Sequence, residues 1–131
     1  MQDLRPHRRL DVWQKSMELA KCVYDESARF PKSEVYGLTS QMRRAAVSLP
    51  SNLAEGAGRK GPKEFKQFLN IAQGSASELD TQLELAHMLG FLKDDNFNDL
   101  TQQLTRISKM LYGLARSINV NQDPLNVNQG P

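Results

Sequence analysis

The chain is poor in the residues that anchor covalent and metal chemistry, with one cysteine and two histidines among 131 residues. With Cys22 alone, no intramolecular disulfide, zinc cluster or dithiol redox pair can form, and nothing in the sequence calls for an oxidising compartment. No run approaches the ~18 apolar residues of a membrane span, and the opening MQDLRPHRRLDVW has no apolar core of the kind that drives secretion. A cytoplasmic protein that does not enter the membrane is therefore expected. An excess of one charge is missing too: 17 lysines and arginines face 15 acids, for a formal net charge of +2. That balance alone does not argue for a nucleic-acid partner.

What is present is helical periodicity. Four segments repeat apolar residues at alternating steps of three and four, and the alternation typical of strands is absent. The first reads Leu10, Trp13, Met17, Ala20, Tyr24 and Ser27, and closes at Phe30-Pro31. The second reads Val35, Leu38, Met42, Ala45, Leu49 and Leu53, and stops at Gly56-Ala57-Gly58. The third opens at Pro62, which suits a first helical turn, and runs through Phe65, Leu69, Ala72, Ala76, Leu79 and Leu83 to Gly90. The fourth follows the capping-type residues Asp94 to Asn96 and carries a heptad stripe from Phe97 to Ile118. Short connections make successive helices antiparallel, so the expectation is all-α: an up-down-up-down four-helix bundle over residues 1–118, with helices near 9–29, 34–57, 62–89 and 96–118. The polar, turn-rich residues 119–131 are expected to form a flexible tail.

Two helices carry more apolar residues than one core face needs. The third adds Phe68, Ile71, Leu85 and Leu89, and the first adds Val12, Leu19 and Val23. Such a surplus is expected where another subunit covers a second face, and it predicts homo-oligomerisation. Charge is also unevenly placed. Residues 43–66 carry Arg43, Arg44, Arg59, Lys60, Lys63 and Lys66 against Glu55 and Glu64, whereas the acids of residues 78–99 meet Lys93 alone. A basic and an acidic segment suit stacking on further copies or binding a polyanion.

Within the second helix the stretch RRAAVSLPSNLAEGAGRKG places a proline in mid-helix, where Pro50 forfeits the bond to the Ala46 carbonyl and predicts a kink near residues 46–50. On a helical wheel Gln41, Ser48, Asn52, Glu55 and Arg59 line one flank with Arg44 close by, and Glu55 stands four residues before Arg59, as an intrahelical pair requires. The flank reads as a polar packing network in preference to a catalytic site. The third helix supports this with its small run Gln73-Gly74-Ser75-Ala76-Ser77, which lets a neighbouring helix approach closely. The network and interface candidates are Gln41, Arg44, Asn52, Glu55, Ser75 and Glu78. Structured RNA or DNA is the alternative partner, with Arg43, Arg59, Lys60 and Lys63 as phosphate contacts and the arm Arg5, His7, Arg8 and Arg9 in support.

Catalytic signatures are sparse. Glu84 and His87 form half of a di-iron carboxylate motif, but the complete site needs a second such pair, and the other histidine is His7. No phosphate loop, nucleophile elbow, haem attachment or zinc-ligand spacing occurs. The expectation is a protein that is not an enzyme and has no catalytic residue, cofactor or metal, with Cys22 as a small core side chain.

The segments SLPSNLAEG and GSASELDTQL, set within LDVWQKSMELAKCVYDESARFP, EVYGLTSQMRRAAVSLPSNLAEGAGR and EFKQFLNIAQGSASELDTQLELAHMLGFL, carry a resemblance. Over about residues 8–118 the chain resembles the bacterial four-helix-bundle family first met as proteins encoded in intervening sequences of large-subunit ribosomal RNA genes. The resemblance implies a small cytosolic bundle assembling as a ring, most often a homopentamer, with no established enzyme activity. More distant relatives serve as nucleic-acid-binding accessory subunits of diversity-generating retroelements. The positions that match the family pattern are Gln41, Arg44, Pro50, Asn52, Glu55 and Gly56, with Gly74, Ser75 and Glu78 in the next helix.

Overall fold

The computed structural model describes residues 5–122, with side chains to residue 118. After a 3-10 turn at Pro6–Arg9 come α1 (Asp11–Ser27), a second short turn at Lys32–Glu34, α2 (Leu38–Ala57), α3 (Pro62–Met88) and α4 (Asp94–Gln122). Among the described residues there is no strand. Each helix packs on two neighbours, in the cyclic order α1, α2, α3, α4.

Side-chain pairings fix the directions. Arg43 near the start of α2 reaches Ser27 and the Tyr24 carbonyl at the end of α1. Gly56 near the end of α2 lies against Phe65 and Phe68 at the start of α3. His87 at the end of α3 meets Asp94 and Phe97 at the start of α4. Successive helices are therefore antiparallel, and the architecture is the all-α four-helix bundle.

The ends of the helices have local causes. α2 starts at Leu38 and not near residue 34, because the Glu34 carboxylate accepts the Leu38 amide at 3.1 Å and satisfies a donor that a helix start leaves open. The chain leaves α3 through Gly90, at φ +80, with Phe91 N–H donating to the Ala86 carbonyl and Gly90 N–H to that of His87. This is a Schellman closure, and a left-handed residue there favours glycine. Phe91 then packs on Phe30, with ring centroids 5.6 Å apart. Asp94 and Asp95 occupy the first turn of α4, where their charge opposes the positive end of the helix dipole. That helix runs four residues past the expected end at 118, since Pro124 is the first proline after the stripe. The remainder of the expected tail, residues 123–131, lies outside the described residues.

Pro50 is buried within α2, and the helix continues through it to Ala57. The core is built from the expected stripes of α2, α3 and α4, with Met42, Leu49, Leu53, Leu69, Leu79 and Leu83 all fully buried. The exception in α2 is Val35, which lies before the helix and is exposed.

α1 corrects its expectation. Val12, Leu19 and Val23, expected as surplus for a second subunit, are buried in the core of the protomer, while Met17 and Tyr24, expected in the core, are exposed. The inward stripe runs through Ser16 and Ser27, both buried. Ser16 donates to the Val12 carbonyl at 2.6 Å, and Ser27 accepts from Arg43 at 2.9 Å, so each hydroxyl enters the core already bonded. Two serines thus interrupt the hydrophobic signal of the true core face.

Candidate functional site

The polar flank of α2 divides in two when folded. Ser48, Asn52 and Ser75 meet across the seam between α2 and α3: the Ser48 and Ser75 hydroxyls are 2.8 Å apart, and Asn52 Nδ2 donates to the Ser48 carbonyl at 2.8 Å and to its hydroxyl at 3.0 Å. Ser75 is buried, so this bond stands in for the water it loses. The small-residue run of α3 thus receives the polar flank of α2 at Ser75. Gly74, by contrast, is exposed, and a side chain added there would meet nothing. Gln41, Arg44 and Glu78 are exposed and make no hydrogen bond or ion pair among the described residues. Glu55 is also exposed and pairs with Arg59 at 2.9 Å, the spacing of one helical turn.

The glycine that close approach requires is Gly56. A Cβ built there would lie 2.7 Å from Phe68 Cβ and 2.9 Å from Phe65 Cδ1. Along its own helix this glycine looks only like part of a stop; its partner rings are on another helix, which a single-helix pattern does not display.

The four candidate phosphate contacts do not form one patch. Arg43 is half-buried and tied within the chain: Nε donates to Ser27 at 2.9 Å, Nη2 to the Tyr24 carbonyl at 3.2 Å, and the guanidinium lies 4.5 Å from the centre of the Tyr24 ring. It stands about 24 Å along the helix axis from Arg59, at 1.5 Å per residue. Arg59 bonds Glu55 and lies 5.0 Å from the Phe68 ring centre. Lys60 and Lys63 are exposed, without a hydrogen bond or ion pair among the described residues.

The fold adds bases to that end. The turn Pro6–Arg9 packs on α1 and α2, with the His7 ring 4.8 Å from that of Trp13 and Arg8 5.5 Å from its centre. Because α1 and α2 are antiparallel, this places Arg8 and Arg9 beside the end of α2 that carries Arg59 and Lys60. Lys63 and Lys66 open α3 at the same end, and Arg116 lies near the close of α4. The arm and the loop are separate features of the sequence, and the topology collects them at one pole.

The opposite pole holds the acids of residues 78–99 in part. His87 Nε2 is 2.7 Å from Asp94 Oδ1, and its ring stacks on Phe97 at 4.1 Å. This accounts for the histidine of the half-motif as a tie between α3 and α4. Among the described residues, no group of three or more histidine, cysteine, aspartate or glutamate side chains is placed to hold a metal ion. Cys22 is half-buried against the core, 3.8 Å from Gln103 Nε2. No helix among these residues is long and apolar enough to cross a membrane.

Two further surfaces keep large apolar side chains exposed. Between α1 and α2 a groove holds Tyr24, Val35 and Val47 alongside Arg43 and Arg44. On the outer side of α3, Ile71, Leu85 and Leu89 are 51%, 44% and 52% exposed. Gln82, seven residues after Ser75 and so on the same side of α3, is also buried, and its Oε1 has no partner among the described residues.

A solved structure of a protein of unknown function from the S23 ribosomal protein family of Bacteroides thetaiotaomicron VPI-5482 is similar in fold, with a TM-score of 0.75 over 80% of this chain and 95% of that one, at 23% identity. No curated protein matches the chain. The family model described as 23S rRNA-intervening sequence protein matches residues 8–113, nearly the whole bundle, and the chain belongs to that family.

Proposed function

We propose that the protein is a non-enzymatic, self-assembling helical module of the cytoplasm, which works as a closed homo-oligomeric ring, a homopentamer. One observation carries this reading. Among the described residues, six of the ten exposed large apolar residues lie in two groups, Tyr24, Val35 and Val47 on one face and Ile71, Leu85 and Leu89 on another, while Met17, Tyr36, Met88 and Tyr112 stand outside them. Their grouping on two faces is what a subunit boundary requires, whereas scattered single exposures would need no explanation. Light scattering on the full chain at micromolar concentration tests it. The expected mass is a multiple of the 14.8 kDa protomer, and a monomer would overturn the reading.

A second reading, binding of structured RNA or DNA, is favoured by the pole at which Arg9, Lys60, Lys63 and Lys66 converge. A ring would repeat that pole, so phosphate contacts weak in one protomer would act together. Binding is expected at ~50 mM salt and falls steeply as salt rises, because each neutralised phosphate releases counterions. If titration of the oligomer with a labelled structured RNA shows no binding at that salt, the nucleic-acid role fails and the ring is a scaffold for proteins.

A further inference from the structure

We propose that the copies join through a heterologous contact, in which the outer ridge of α3 on one protomer seats in the α1–α2 groove of the next and Glu78 on the ridge pairs with Arg44 in the groove. This rests on the self-assembly reading and adds which surfaces meet. The ridge is continuous. Ile71, Glu78, Leu85 and Leu89 fall within about 40° of one another on the helical wheel and extend about 27 Å along the axis. The groove offers side chains of matching kind, with Tyr24, Val35 and Val47 43–49% exposed.

Charge selects the pairing. Glu78 is the charged residue among those of the ridge, and from Gln67 to Leu92 the chain has no lysine or arginine, whereas the groove is lined by Arg43 and Arg44 and no acid. Ridge against ridge would oppose carboxylates, and groove against groove would oppose guanidinium groups. Ridge against groove brings unlike charges together along apolar surface. Arg43 is already engaged by Ser27 and Tyr24, which leaves Arg44 as the groove cation without a partner. Glu78 is its counterpart on α3. Because the two surfaces differ, each protomer presents one of each, and the association propagates until a rotation closes the ring.

Charge exchange tests the contact. Arg44→Glu, Glu78→Arg and the double variant would be compared with the wild-type chain by sedimentation velocity at micromolar concentration. Both residues are exposed, so far-UV circular dichroism and thermal melting should show that every variant keeps the bundle. Each single variant is expected to weaken assembly on the order of 100-fold, by opposing like charges, and the double variant to restore the wild-type mass. Single variants that assemble as the wild type does would leave these faces to a different protein and overturn the proposal. A double variant that folds but stays dissociated would overturn the Arg44–Glu78 pairing. A monomeric wild type would instead remove the self-assembly reading, and the contact with it.

Discussion

Where α1 ends and α2 begins, a basic side chain is used to close the fold: Arg43 spans two helices, bonding Ser27 and the Tyr24 carbonyl and lying over the Tyr24 ring. At the far end of α2 the order reverses. Lys60 in the loop and Lys63 in the first turn of α3 are exposed without a bonded partner among the described residues, while close packing is achieved by the absence of a side chain at Gly56. The contrast separates two uses of similar residues. A cation engaged with a hydroxyl, a carbonyl and a ring contributes to stability, whereas one held in solvent remains available to a partner. Proximity in sequence to other bases does not tell the two apart.

Four variants sharpen the contrast. The largest loss of stability is expected from Gly56→Val, because its side chain meets the Phe65 ring and the Cβ of Phe68, which cannot withdraw without moving α3. Overpacking of this kind costs about 2 to 3 kcal/mol, measured as a shift of the urea midpoint at unchanged slope. Next comes Arg43→Ala, expected to cost about 1 to 2 kcal/mol by the same measurement, since it leaves the buried Ser27 hydroxyl without its donor and removes the stacked cation. Arg43→Lys should recover only part of the loss, because a point charge does not reproduce the two-sided planar donor.

The smallest effect on stability is expected from Lys60→Ala combined with Lys63→Ala, within about 0.5 kcal/mol of wild type. The same variant should weaken RNA binding and flatten its dependence on log salt by about 1 to 2, roughly 0.9 for each phosphate no longer neutralised. If it instead destabilised the bundle as much as Arg43→Ala, the contrast between the two ends would collapse.

The bundle itself was legible in the sequence wherever one helix supplied the whole signal. Leu38 to Leu53, Leu69 to Leu83 and Leu100 to Ile118 keep a helical period over several turns, Pro62 begins a helix, and Gly90 ends one. Glu55 and Arg59 were readable as a pair because they stand four residues apart, Glu55 in the last turn of α2 and Arg59 just past its end. The candidate site was legible only in pieces. Asn52 and Ser75 stand out on their own helices, but that they meet through Ser48 depends on the register between α2 and α3.

The sequence by itself determined the helical class, the approximate element boundaries and, on α3 though not on α1, the presence of more apolar surface than the core stripe requires, because these follow from periodicity and turn chemistry along the backbone. Tertiary structure alone decided which face of α1 turns inward. The inward face takes Val12, Ser16, Leu19 and Val23 together with Ala20 and Ser27 of the expected stripe, and the Ser16 and Ser27 hydroxyls find partners in the Val12 carbonyl and the Arg43 guanidinium. It also decided which charges share a pole and which are already bound within the chain. Both outcomes are properties of pairs of surfaces: burial and charge pairing depend on what a side chain meets across the interface, and that partner is distant in sequence.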